Sequence, residues 1–120
     1  MGIKVLLVDD EPSILMTLEM VLHAEGFEVQ TASSGTAAKT ALSEHAFDVV
    51  LTDLSLETAS TGYDVVQAAK QHGARPATLV VSGFPDLLCN WKAHGADAAL
   101  QKPTEVPELI ATINRLVGQR

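Results

Sequence analysis

The sequence predicts an α/β fold, a single-domain (βα)5 arrangement with a doubly wound, five-stranded parallel sheet. Two observations predict it. Apolar, β-branched runs alternate with stretches of helical period along the whole chain. Several of those runs also end in an acid or a hydroxyl residue, at the place where parallel sheets carry their ligands. Alternation of this kind implies right-handed crossovers and a sheet covered by helices on both faces.

Each element follows in order. Residues 3–8 form a continuous apolar strand, and 12–25 a helix whose Ile14, Leu15, Leu18, Val21 and Leu22 share one face. Pro12 suits the first helical turn and Gly26 a C-terminal stop. A second strand covers 27–32 and a small-residue helix 35–45. "DVVLTD" (48–53) is the third strand, followed by a helix over 62–72 with Tyr63, Val66 and Ala69 inward. "ATLVVSG" (77–83) is the fourth strand, with a short helix over 85–94. "DAALQ" (97–101) is a weak fifth strand. A last helix over 104–117 carries an apolar stripe of Leu109, Ile110, Ile113, Leu116 and Val117.

Composition narrows the function. The 120 residues are 47% hydrophobic and 19% charged, as in a globular domain, and residues 1–120 read as one unit. Eight Lys and Arg against fifteen Asp and Glu leave a net charge of −7, without the basic footprint that nucleic-acid backbones require. Cys89 is the only cysteine, which excludes an internal disulfide, and it reads as a small apolar group packed on a helix. No apolar run reaches the ~18 residues of a membrane span, and no signal peptide precedes the first strand. The expected compartment is the cytoplasm.

The informative residues lie just past each strand. They are Asp9 and Asp10 after the first, Asp53 ending the third, Ser82 ending the fourth and Lys102 after the fifth. Three adjacent acids, Asp9, Asp10 and Glu11, at the end of an apolar strand repel one another and lose hydration unless a cation sits among them. Oxygen-rich sites of this kind suit a hard divalent ion, and Mg²⁺ is the natural candidate. Taken singly, the same residues have plainer readings: Asp10 or Glu11 as a helix cap, Asp53 as a turn acceptor, Ser82-Gly83 as a turn and Lys102-Pro103 as a junction. Their joint placement favours a site. The histidines His23, His45, His72 and His94 read as surface groups near helix ends, and Leu88 and Trp91 as core.

With "LLVDDEPS" (6–13), "VVLTDLSL" (49–56), "GYDVV" (62–66), "VVSG" (80–83) and "GADAALQKP" (95–103) in this order, the chain resembles the receiver domains of two-component response regulators. The resemblance spans about residues 3 to 118 and implies a flavodoxin-like, CheY-like three-layer sandwich. It implies that Asp53 accepts a phosphoryl group from a sensor histidine kinase or a histidine phosphotransfer protein. Asp10, Asp53 and the main-chain carbonyl of Ser55 would ligate Mg²⁺, with Asp9 acting through bound water. Lys102 and Ser82 would contact the phosphoryl oxygens. A downstream protein would meet the face of the fourth helix, fifth strand and fifth helix, and a weak homodimer is also expected. On this reading the protein is a self-phosphorylating switch with slow autodephosphorylation, not a turnover enzyme.

Several positions depart from the family pattern. Ala99 stands where an aromatic residue usually moves inward during switching. Glu57 replaces a usual proline, in a loop where Thr58, Ser60 and Thr61 can bond locally. The fourth helix is about half a turn short. Phe84, beside the site, is expected to screen an acyl phosphate from water. Two rivals are an aspartate-based phosphatase and a degenerate receiver acting as a docking module. The first needs a general acid two places after the nucleophile and meets Ser55 there. The second is opposed by retention of all five site residues.

Overall fold

The computed structural model describes residues 2–56 and 61–118. The expected reading of Glu57, Thr58 and Ser60 lies outside those residues. Strands β1 (Lys4–Val8), β2 (Glu28–Ala32), β3 (Val49–Asp53), β4 (Ala77–Ser82) and β5 (Ala98–Gln101) alternate with helices α1 (Pro12–Ala24), α2 (Gly35–Glu44), α3 (Gly62–Gln71), α4 (Pro85–Leu88) and α5 (Val106–Gly118). All pairings are parallel, in the order β2-β1-β3-β4-β5. The chain runs outward from β1 to β2, then returns past β1 to begin β3. The β1–β3 boundary is therefore the topological switch point, where side chains beyond the strand ends face an open crevice.

Strand alternation divides the core between two faces. Val5, Leu7, Val49, Leu51, Leu79 and Val81 point one way, against Leu15 and Leu22 of α1 and Leu109, Ile113 and Leu116 of α5. Leu6, Val8 and Val50 point the other way, against Ala38, Ala41 and Leu42 of α2 and Val65 and Ala69 of α3. Burying each such Leu, Ile or Val contributes about 1.5–3 kcal/mol relative to exposure. Strands buried on both faces carry no polar alternation, which is why the apolar runs identify them. Ile14, Leu18 and Val21 of α1 are half-buried, at the margin of the face they were expected to share.

Caps fix several helix starts. The Ser34 hydroxyl accepts the Ala37 N–H at 3.0 Å, a cap contributing about 1 kcal/mol to α2. Thr61 and Asp64 form a reciprocal capping box on α3. Helix α1 has Pro12 in its first turn, and neither Asp10 nor Glu11 caps it: the Glu11 side chain makes no capping bond, and Asp9 accepts the Glu11 N–H instead.

Two expectations need correction. Helix α4 is a single turn, Pro85–Leu88, not a helix over 85–94. The residues that follow, Cys-Asn-Trp-Lys-Ala-His-Gly, mix middling helix formers with Gly95 at φ +91°, and their amides form isolated turn bonds such as Gly95 N–H to the Lys92 carbonyl at 3.0 Å. Cys89 is exposed because the chain leaves the helix there, and its thiol donates to the Asp86 carbonyl. Leu88 and Trp91 are half-buried and pack on Leu54, Val66, Val80 and Ala96. This segment is tied to α3. The Tyr63 hydroxyl donates to the Leu87 carbonyl, the Gln67 amide donates to the His94 carbonyl at 2.6 Å, and the Tyr63 ring stacks on His94 with centroids 3.9 Å apart. Ala99 faces the same cluster, so Tyr63 and Trp91 supply aromatic bulk beside a position that has none.

Candidate functional site

Asp9 continues β1 by one ladder bond, its N–H donating to the Ala32 carbonyl at 3.2 Å. That bond carries the carboxyl group to the rim at 4% exposure. Its Oδ1 accepts the Glu11 N–H at 2.9 Å, which turns the chain into α1 and sets Asp10 beside it, half-buried. Asp53 is the last residue of β3. Its Oδ1 accepts the Ser55 N–H at 3.0 Å, and its Oδ2 accepts from the Lys102 ammonium at 2.8 Å.

Lys102 arrives from the far edge of the sheet. Its N–H donates to the Ser82 carbonyl at 2.9 Å, so β4 sets the height at which the side chain begins. The ammonium then reaches back across β4 to Asp53, with Asp9 Oδ2 at 3.4 Å. Ser82 is fully buried, and its hydroxyl accepts the Phe84 N–H at 3.0 Å. Carboxylate oxygens of Asp9, Asp10 and Asp53 lie within 4.8 Å of one another. The structure thus brings the three acids and Lys102 together, while Ser82 faces the loop beyond β4.

Three carboxylates against one ammonium leave the rim negative, and burial sharpens the imbalance. Burial raises the Asp9 pKa above its ordinary 3.8, a rise opposed by the Glu11 N–H and by Lys102. Burial lowers that of Lys102, but the hydrogen bond and charge of Asp53, with Asp9 adding to them, outweigh it and leave a net rise above 10.5. Pairing wins for Lys102 because its short bond is to Asp53; desolvation wins for Asp9 because its contact with Lys102 is longer. The signs differ in consequence. Stability linked to Asp9 is complete below pH 3.8 and is lost as pH rises through its elevated folded value. Stability linked to Lys102 persists to above pH 10.5.

An ionised Asp9 therefore weakens the metal-free fold at neutral pH. Asp9→Asn is expected to raise the thermal midpoint in chelator by a few degrees, as about 1 kcal/mol does in a domain of this length. The same change is expected to weaken divalent-cation binding by about tenfold. Calorimetry with and without Mg²⁺ measures both; a lower midpoint in chelator would mean that the Asp9 carboxylate stabilises the metal-free fold.

The donor set, oxygen-only and net acidic, fits a hard divalent ion. Sequence reasoning missed Gly62. A Cβ there would sit 2.8 Å from the Leu54 Cα and 2.9 Å from the Asp53 carbonyl carbon, so α3 starts in direct contact with the backbone that carries Asp53. The Thr-x-x-Asp capping signature at Thr61 announces that start; the close approach leaves no trace in the sequence.

Residues 5–114 match the family model described as the response regulator receiver domain. The chain is 37% identical over 115 residues to the transcriptional regulatory protein KdpE of Mycobacterium tuberculosis, covering 94% of this chain and 50% of that protein. It is 30% identical to the chemotaxis protein CheY4 of Vibrio cholerae, with a TM-score of 0.88 over 97% of this chain and 99% of that one. A response regulator receiver domain protein from Clostridium thermocellum is 31% identical, with a TM-score of 0.88 over 98% and 95% of the two chains. The chain spans about half the length of the curated relatives it matches.

Proposed function

Because the chain belongs to the response regulator receiver domain family, we propose that it is a phosphoryl-accepting switch with Asp53 as the acceptor. The observation that carries this reading is the convergence of Asp9, Asp10 and Asp53 within 4.8 Å, with Lys102 on Asp53 Oδ2 at 2.8 Å. A sensor histidine kinase or a histidine phosphotransfer protein supplies the phosphoryl group. A carboxylate oxygen of Asp53 forms a bond to phosphorus as the donor's bond to phosphorus breaks, and the electron pair of that bond leaves with the donor.

Asp10, Asp53 and the Ser55 carbonyl would hold Mg²⁺, with Asp9 acting through water. When bound, the metal offsets charge on the transferring oxygens. The chain's own groups do the positioning. The Ser55 N–H and the Lys102 ammonium each engage one oxygen of Asp53, which orients the carboxylate. After transfer Lys102 pairs with a phosphoryl oxygen, and the Ser82 hydroxyl donates its proton to another. That hydroxyl also accepts the Phe84 N–H, so its movement pulls on the start of α4. The face that changes is that of α4, β5 and α5, where Phe84 and Leu87 are 61% and 41% exposed, and a downstream protein meets it there.

Acetyl phosphate with Mg²⁺ tests the reading. The intact mass should rise by one phosphoryl group, the label should map to Asp53, and chelator should prevent it. An unchanged mass in saturating Mg²⁺ would leave the docking-module alternative. Phe84 tests the lifetime of the product. Its ring stands two residues past Ser82 and cannot orient water for attack, so Phe84→Asn is expected to speed loss of phosphate several-fold. A half-life equal to or longer than that of the parent protein counts against this role.

A further inference from the structure

Helix α1 rests on β1 and β2, and α5 on β3 and β4. The seam between the two helices therefore lies over the β1–β3 boundary, directly behind the acids. A cavity of about 560 Å³ fills that seam. Leu7, Leu51 and Val81 form its floor, Ile14 and Leu18 one wall and Leu109 the other. Asp9, Asp53 and Lys102 also line it, as do the exposed Ser13 and Thr17. A half-open, mainly apolar groove of this size, with charged groups in its lining, has the form of a small-molecule site.

The charge in the lining selects the ligand. Lys102 is already held by Asp53 at 2.8 Å and Asp9 at 3.4 Å, and Asp10 adds a third carboxylate to the cluster. An anionic head would meet unbalanced acid there, whereas a cationic head replaces the missing positive charge. A protonated amine also keeps its charge while an apolar body displaces water from the groove.

We propose that the α1–α5 cavity binds a small primary amine with an apolar body, its ammonium on the Asp9 and Asp53 carboxylates. The amine and the divalent cation compete for the same oxygens, so each weakens the other by the same factor. Ligand binding then holds the switch off when Mg²⁺ is limiting. This inference rests on the reading of the acids as the cation site of a receiver.

The test is a titration of the full chain in chelator with phenethylamine, followed by amide NMR shifts. Saturable shifts are expected at Thr17, Leu18 and Leu51, with a dissociation constant on the order of 1 mM for so small a ligand. Phenethyl alcohol, which lacks the charge, and ethylamine, which lacks the body, should each bind about tenfold more weakly. Saturating Mg²⁺ should raise the apparent constant about tenfold. Thr17→Trp, at an exposed position on the lining, should block the cavity while leaving the fold intact. Absent saturation, shifts confined to other surfaces, or equal binding by phenethyl alcohol would overturn the proposal. So would undiminished binding to Thr17→Trp. Acetyl phosphate labelling without amine keeps the two readings apart. A chain that labels at Asp53 yet ignores the amine retains the receiver function and loses only this site.

Discussion

Asp53→Asn is expected to end phosphoryl gain from acetyl phosphate and to leave the protein folded. An amide cannot supply the anionic oxygen that forms the acyl phosphate, so labelling falls below detection and is not merely slowed. The fold should survive because two effects oppose each other. The change loses the charged partner of Lys102 at 2.8 Å, an ion pair in partial contact with solvent and contributing about 1 kcal/mol at most. It also removes a like charge that pushes the Asp9 pKa upward. Net stability should move by no more than about 1 kcal/mol in either direction, and Mg²⁺ affinity should fall by about tenfold with one ligand neutralised. Mass spectrometry, thermal melts and a Mg²⁺ titration measure the three. A mass gain that persists in the variant would move the acceptor to another residue, with Asp10 the first to map.

Gly62→Ala is expected to combine a loss of stability with a loss of rate. The added methyl would meet the backbone of Asp53 and Leu54 within 3 Å, and no flexible side chain can yield. Either α3 lifts away or the end of β3 bends. Overpacking of this kind costs roughly 1–3 kcal/mol, a fall of about 5–15 °C in the thermal midpoint for a domain of this size. Any displacement of the Asp53 backbone moves its carboxylate relative to Lys102 and the other acids, and misplacement by about 1 Å can slow a positioned reaction up to about a hundredfold. Gly73→Ala is the control, because a Cβ at Gly73 meets nothing within 4 Å. If Gly62→Ala melts early yet labels at the parental rate under folding conditions, the glycine serves packing alone.

The contrast between Asp53 and Gly62 separates what the sequence conveys from what it does not. Strands β1, β3 and β4 are legible because burial on both faces forces unbroken apolar runs, and because Asp9, Asp53 and Ser82 punctuate them. Those residues, with Lys102, could be assigned to one rim from topology alone, since a doubly wound parallel sheet has one carboxyl end. Helix α4 was harder. Residues 85–94 carry a helix-compatible pattern, but their weak propensity lets side-chain and turn bonds compete, and only one turn forms. Cys89, expected on that helix, lies just past its end and is exposed for the same reason. Contacts between distant elements, such as Tyr63 on His94 or Gly62 on Asp53, depend on how α3 seats against its neighbours. No local pattern encodes that distance.

The ties to Leu87 and His94 are made by Tyr63 and Gln67, on the same helix whose first residue, Gly62, abuts the Asp53 backbone. Gln67 lies more than one helical turn beyond Gly62, so the tie to His94 can be altered without touching the contact with Asp53. An exchange at Gln67 is expected to loosen the backbone at His94 while Gly62 stays against Asp53.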